Sequence, residues 1–286
     1  MMSQVQSSDI LQGWQDTAKY WAKHRNTIRI MFAPLTRALI EQARISRGHD
    51  VLDVAGGPGE PSLTIAETVG PDGSVMCTDA VSEMVAAAEA EALGRGLKNV
   101  QFRQCAADSI PFPDNSFDAV VSRLGAMFFP NPLAALREML RVTKPGGALS
   151  LAVWHKSEVN PFCYVVTDVI SRHVETPPAN PDAPGAFRFA DPGKLASILK
   201  DAGAVEVGER VVKFDIAAPI SPEEFWAMRS ETSESLREKL LKLSNETRPQ
   251  IAREIQQAVR EFFPNNQMRF PAQMIIVTGT KPMQMQ

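Results

Sequence analysis

Between Val51 and Val153, short β-rich runs alternate with longer helical stretches, and few folds accept such a pattern. The runs are Val51–Ala55, Ser74–Thr78, Val100–Cys105, Phe117–Ser122 and Ala148–Val153, with helical stretches at Pro61–Val69, Ser82–Gly94 and Pro132–Thr143. Four of the runs are apolar on both faces, as a sheet covered on both sides requires. Strands alternating with helices imply βαβ units, hence a parallel, doubly wound α/β sheet. Pro61 near a helix start, Ser82 as a cap, and the turn Lys144-Pro145-Gly146-Gly147 punctuate it.

Two regions frame this core. Residues 1–45 read as amphipathic helices carrying Trp14, Tyr20 and Trp21. Beyond Trp154 come a helix near Phe162–Val174, a Pro-rich loop at Pro177–Pro184, a helix at Ala190–Ala202 and a strand at Val205–Ile216. Ser221–Phe263 is again helical, opened by the cap Ser221-Pro222-Glu223-Glu224, and Gln273–Thr280 is the last strand. The reading is a seven-stranded, mostly parallel sheet with N-terminal helices (1–45), a core at 46–220 and 271–286, and a helical cap at 221–270 inserted between the last two strands.

The 286 residues carry 30 Lys and Arg against 33 Asp and Glu, a net charge of −3, which gives no bulk attraction to a phosphate backbone or an anionic membrane. Nucleic acid and a membrane span are therefore not expected: the most apolar stretch, Ala119 to Leu136, is interrupted by Arg123, Pro130 and Pro132. The N-terminus MMSQVQSSDILQGWQD lacks the basic-then-apolar pattern of a secretory signal. Three cysteines, Cys77, Cys105 and Cys163, lack metal-binding spacing and read as reduced buried thiols. The expectation is a cytoplasmic protein with no metal. No motif fixes an oligomeric state.

The sharpest local signal is Val51-Leu52-Asp53-Val54-Ala55-Gly56-Gly57-Pro58-Gly59, a strand running through a glycine-rich turn into a helix. Glycines admit close backbone approach, and the helix N-terminus presents unpaired N–H groups. Asp79, at the end of the second strand, stands where a carboxylate accepts hydrogen bonds from both hydroxyls of a ribose. These features also suit a nicotinamide dinucleotide. Against it, Ser62 occupies the third glycine position of the dinucleotide fingerprint, and Glu60 at the helix start repels a pyrophosphate. A cationic sulfonium with an amino-acid tail fits the loop better.

In this order the motifs resemble the class I S-adenosylmethionine-dependent methyltransferases, in particular the ubiquinone/menaquinone biosynthesis C-methyltransferase (type 11) branch. VLDVAGGPG resembles the family's first motif and CTDAVSEMVAAA its second. QCAADSIPFPDNSFDAVVSRLG resembles the third and fourth, and LREMLRVTKPGGALSLAVW the later turn and strand. The resemblance implies a Rossmann-like fold, S-adenosylmethionine as cofactor and methyl transfer to a small-molecule acceptor. It also implies site residues. Ala55, Gly56, Gly57 and Gly59 line the methionine end, and Asp53 shapes the loop or reaches the amino group. Asp79 binds ribose, Ala80 and Met84 pack near adenine, and Ala107, Asp108 and Ser109 close its far edge. Arg123 and Leu124 end strand four. Met84 also suits plain core, and Arg123 an ordinary ion pair. Trp14, Tyr20 and Trp21 suit either a lid over the cofactor or helix-to-core packing.

Of the four histidines, His155 ends the fifth strand on the ligand-binding edge and is the candidate general base; His24 is second, and His49 lies at the wrong edge. An ordinary strand-end histidine fits His155 equally. Strand four is followed by Ser122-Arg123-Leu124-Gly125-Ala126, not by the Asn-Pro-Pro-Tyr-like element of amino-methylating DNA enzymes, the glutamate pair of protein arginine methyltransferases or an Asp/Asn magnesium cluster. A small organic acceptor remains. Met127, Phe128, Phe129, Phe162, Phe187, Phe189, Phe225 and Trp226 fall in segments able to wall it or to pack the core. The readings outside methyl transfer are a non-catalytic nucleoside-binding or regulatory protein and, less favoured, an NAD(P)-type oxidoreductase.

Overall fold

The β-rich runs pair as their apolar faces demand. The computed structural model describes residues 2–175 and 180–283, with side chains from Ile10 onward. Strands β1 (Asp50–Val54), β2 (Ser74–Asp79), β3 (Val100–Gln104), β4 (Phe117–Arg123) and β5 (Thr143–Trp154) run parallel. β6 (Val205–Ala218) and β7 (Met268–Thr280) complete one seven-stranded sheet of order β3-β2-β1-β4-β5-β7-β6, with β7 antiparallel to both neighbours. This is the doubly wound α/β arrangement that the alternation implied. The order reverses at β1 and β4, so their carboxyl ends form the crevice in which such sheets bind ligands.

The crossover helices are α2 (Ser62–Val69), α3 (Ser82–Gly94) and α4 (Pro132–Val142). Ser82 is not the cap of α3: Val81 takes that place, and Ser82 is the first helical residue. The Asp79 carboxylate instead accepts the Val81 N–H at 3.0 Å, making an end-of-strand acid part of the helix start. The turn expected at 144–147 is a bulged part of β5. The β4–β5 register shifts there, Gly146 has φ +76°, and a Cβ on Gly147 would lie 2.7 Å from the Asp118 carbonyl.

The N-terminal region is one helix, α1 (Met2–Gln42), where the sequence suggested several. Its second half buries Ile28, Met31, Phe32, Leu35 and Leu39, a stripe at helical spacing that joins the main core. Beyond β5 lie α5 (Pro161–Ser171) and α6 (Lys194–Asp201); the Pro-rich loop expected at Pro177–Pro184 lies partly outside the described residues. Between β6 and β7 come α7 (Pro222–Thr232), α8 (Glu234–Leu241) and α9 (Thr247–Ala258). Ser221 and Glu224 form the reciprocal capping box read from their spacing. β7 starts earlier than expected, at Met268, and contains Pro271. Its pairing with β5 begins only at Met274, so at Pro271 the strand has one neighbour and tolerates a missing donor. Among the described residues, no helix is long and apolar enough to cross a membrane.

Candidate active site

A cavity of about 350 Å³ opens at the carboxyl ends of β1, β2 and β4. Its floor is the glycine loop after β1. Ala55 (φ +59°) and Gly57 (φ +55°) adopt left-handed backbone, and the Gly56 N–H donates to the Thr78 carbonyl at 2.9 Å. A Cβ on Gly56 would lie 2.7 Å from Cys77 Sγ, so only glycine brings the loop this close to β2. A Cβ on Gly57 meets nothing within 4 Å, which leaves that face of the loop open. Gly59 does not line the cavity. It is a packing glycine (φ +115°), whose Cβ would press on Leu63 at 2.9 Å.

Asp79 faces the cavity from the end of β2. Its Oδ2 accepts the Gly57 N–H at 2.9 Å and its Oδ1 the Val81 N–H at 3.0 Å. Each carboxylate oxygen has capacity for a further donor, so the group is both anchored and able to accept two hydroxyls. Burial raises its pKa, against the lowering by these backbone N–H groups.

Asp53 lies beneath the loop, fully buried and outside the cavity wall. Ser62 Oγ donates to its Oδ2 at 2.6 Å, while Oδ1 has no partner. Burial raises its pKa to about 7, with Ser62 and Arg123 opposing.

Arg123 lines the cavity from the end of β4. It is no surface ion pair: Nη1 donates to Thr36 Oγ1 of α1 at 2.7 Å, Nη2 to the Glu60 carbonyl at 3.0 Å, and the buried Nε has no partner. Glu60 also lines the cavity, yet its carboxylate is bound by Arg95 at 2.9 Å and Thr64 at 2.7 Å, so the repulsion argued from its charge is largely neutralised. Arg95 and Arg25 of α1 share Glu91, making a chain of charges from the roof helix to the loop.

Ala80, Met84, Ala107, Asp108 and Leu124 line the cavity, and Asp108 is exposed at its rim; Ser109 does not line it. The roof is one face of α1, with Trp14, Trp21, Arg25, Ile28 and Phe32. Their spacing of seven, four, three and four residues is the helical signal that could have extended the reading from the two tryptophans to Arg25, Ile28 and Phe32. Trp14 meets Phe128 edge-on at 4.9 Å, closing the cavity between α1 and the segment after β4. Tyr20 lies off this wall, with Lys19 and Arg237 each 4.9 Å from its ring centre.

His155 lies outside the cavity wall; its Nδ1 accepts the Lys156 N–H at 2.7 Å. His24 shares a 2.6 Å hydrogen bond with Glu231, also off the wall, and His49 pairs with Ser46 before β1. Of the aromatic segments considered for an acceptor wall, Phe128 and Phe129 reach the cavity. Phe162 and Phe225 pack instead with Phe263 and Phe270 in the core.

This geometry agrees with what the chain is similar to. Residues 52–151 match the family described as methyltransferase domain. That matched segment covers about a third of the chain, and it contains the strands that build the cavity floor. A ubiquinone/menaquinone biosynthesis C-methyltransferase from Ectopseudomonas mendocina is 40% identical over 136 residues, 47% of this chain and 53% of that protein. An uncharacterised protein from Mycobacterium tuberculosis is 39% identical over 124 residues, 43% of this chain and 44% of its own length. The chain thus spans about half the length of the curated relatives it matches. A SAM-dependent methyltransferase structure from Aquifex aeolicus is 27% identical with a TM-score of 0.52, covering 69% of this chain and 92% of that one. The segment that matches the methyltransferase domain spans most of β1, all of β2–β4 and most of β5.

Proposed function

We propose that this protein binds S-adenosylmethionine in the cavity and transfers its methyl group, by in-line displacement, to a small and largely apolar organic acceptor, releasing S-adenosylhomocysteine. The observation that carries the reading is Asp79: a carboxylate fixed by two loop N–H groups, facing a cavity, with an acceptor site left on each oxygen. That is the demand of a ribose diol. The open face at Gly57 admits the methionine end, and the positive charge of Arg123 on the wall suits its carboxylate. Asp108 at the rim suits the adenine amino group, between Ala80, Met84 and Ala107.

When bound, the cofactor supplies an electrophilic methyl on a sulfonium leaving group. The chain's part is alignment and exclusion of water. Asp79 and Arg123 fix the two ends of the ligand, and Trp14, Trp21, Ile28 and Phe32 of α1 cover the acceptor side with apolar surface. No role as a base is given to His155, whose Nδ1 is engaged by its own loop.

Calorimetric titration of S-adenosylmethionine, S-adenosylhomocysteine and NADH into the wild type and Asp79→Ala tests the reading. Both adenosyl ligands are expected to bind the wild type saturably. Loss of two charge-assisted hydrogen bonds should weaken them about 100-fold or more in the variant. Binding of NADH alone would overturn methyl transfer in favour of an oxidoreductase. Adenosyl binding without S-adenosylhomocysteine production across an acceptor panel would point to a non-catalytic nucleoside-binding protein.

A further inference from the structure

β6 ends the sheet, and among the described residues no strand lies beyond it. A bare edge is a hazard, because its free N–H and C=O groups are a template for another chain. Here the edge is long, Val205–Ala218, and Val205 and Val211 are exposed on it. It is not open throughout. Ile216 is 0% exposed and Ala218 5%, so the backbone at that end is already covered. Near the other end Glu206 takes φ +51°, and the register with β7 shifts between Val205 and Gly208. The stretch from Gly208 to Asp215 is therefore both regular and accessible.

The side chains of this stretch select how a second copy can pair with it. Two identical antiparallel strands related by a twofold axis are centred on one residue that faces its own copy. Centring on Glu209, Arg210, Lys213 or Asp215 sets a like charge against itself, and centring on Val212 sets Glu209 against Asp215. Centring on Gly208 carries the ladder into the bulge at Glu206, and centring on Phe214 requires Ile216, whose backbone is covered. Val211 remains. About it, on one face, Glu209 lies opposite Lys213 of the second copy and Lys213 opposite its Glu209. On the other face Arg210 meets Val212, and Phe214 meets Gly208, which has no side chain to oppose the ring. Both charges are available: Lys213 has no ion pair among the described residues, and Glu209 uses only Oε2, which accepts the Gly193 N–H at 2.8 Å.

We propose that β6 is a homodimer interface, at which two copies of this chain pair antiparallel about Val211 and join their sheets edge to edge. The occupant is a second copy because the charges are complementary to themselves in one register. Edge charges that serve only to repel neighbours need no such order; here an acid and a base stand two residues to either side of one exposed valine. Backbone hydrogen bonds along Gly208–Phe214 hold the pair, Val211 packs on its copy, and Glu209 with Lys213 fixes the register. β5 and β7 separate this edge from the strands that build the cavity, so the interface does not depend on the methyl-transfer reading.

Sedimentation equilibrium of the full chain over a range of loading concentrations tests this. The wild type is expected to move with concentration from 31.4 kDa toward twice that mass. Lys213→Glu and Glu209→Lys each set like charges opposite one another at two places, and each should weaken dimerisation about tenfold or more. The double variant Glu209→Lys/Lys213→Glu exchanges the signs and should return to within about threefold of the wild type. Pairing at another surface or in another register gains nothing from that exchange, so the rescue reports the Val211 register. A wild type that stays at 31.4 kDa at every concentration, a dimer untouched by Lys213→Glu, or a double variant no tighter than the single ones would overturn the proposal. Should the variants not fold, as circular dichroism would show, hydrogen exchange on the wild type decides. Amides in Gly208–Phe214 should then exchange more slowly as concentration rises, and exchange that ignores concentration would overturn it as well.

Discussion

The two halves of the sheet's carboxyl edge are built by different physics. At β1, β2 and β4 the surface is made by backbone: the left-handed Ala55 and Gly57, the Gly56 approach to β2, and two N–H groups aimed at Asp79. At β5, β7 and β6 it is made by rings. Phe270 has Phe225 at 5.2 Å, Phe262 at 4.6 Å, and Phe162 and Phe263 edge-on at 5.7 and 5.8 Å. The first half has small side chains and many polar contacts, suited to a ligand that must be bound identically each turn. The second is a hydrophobic joint that seats α5, α7 and α9 on the sheet. Precision in the one and cohesion in the other are separable, and mutations should separate them.

The largest expected effect belongs to the aromatic half. Phe225 is fully buried and touches Phe162, Phe263 and Phe270, so Phe225→Ala opens a cavity in the joint. A loss of about 3–5 kcal/mol in chemical denaturation is expected. S-adenosylhomocysteine affinity of the folded fraction should change less than about twofold, well under 1 kcal/mol. A tenfold loss of affinity would show that the joint also sets the geometry of the glycine loop.

Asp53 sharpens the comparison from the other side, because there a charge sits beneath the floor. Burial lifts its pKa from 3.8 to about 7. The native state therefore holds a proton that the unfolded chain has released between those values. Stability from this group is complete below about pH 4 and declines as pH rises through 7, by up to about 4 kcal/mol. Asp53→Asn is expected to remove that decline, so the thermal midpoints of the two proteins should diverge as pH increases from 4 to 8. Midpoints that remain parallel over this range would show that Asp53 is charged throughout in the native protein.

The contrast between the halves also explains what could be read from sequence. The glycine loop, Asp79 and the crossover helices are local: each depends on residues within a turn or a strand of one another, and α3 begins and ends at Ser82 and Gly94 as its pattern indicated. The Ser221–Glu224 box is legible for the same reason. Local pattern does not say which buried ring meets which, so Phe162 and Phe225 read equally well as acceptor wall or as core. Nor does it show that Glu60 would meet Arg95, 35 residues later, or that α1 would run unbroken over the cavity. Gly59 and Asp53 stand one step behind the wall because the loop has two sides, and a motif does not distinguish the side that holds a ligand from the side that holds a helix.

The smallest effect expected lies within the glycine-loop half, at the switch point between β1 and β4, where Ala55 and Gly125 meet. Ala55 holds φ +59°, a conformation that costs a Cβ-bearing residue, and a Cβ on Gly125 would lie 2.6 Å from the Ala55 Cβ and 2.8 Å from Ser122 Oγ. Ala55→Gly relieves the backbone and should gain up to about 1 kcal/mol, while Gly125→Ala should cost about 1–3 kcal/mol by overpacking. The double variant should recover part of that cost, since the nearer of the two clashes has gone while Ser122 remains. Denaturation of the four proteins gives a coupling energy, expected at about 0.5–1 kcal/mol. Strict additivity would mean that the β4 segment yields independently of the loop, and that the floor of the cavity is held by its backbone hydrogen bonds alone.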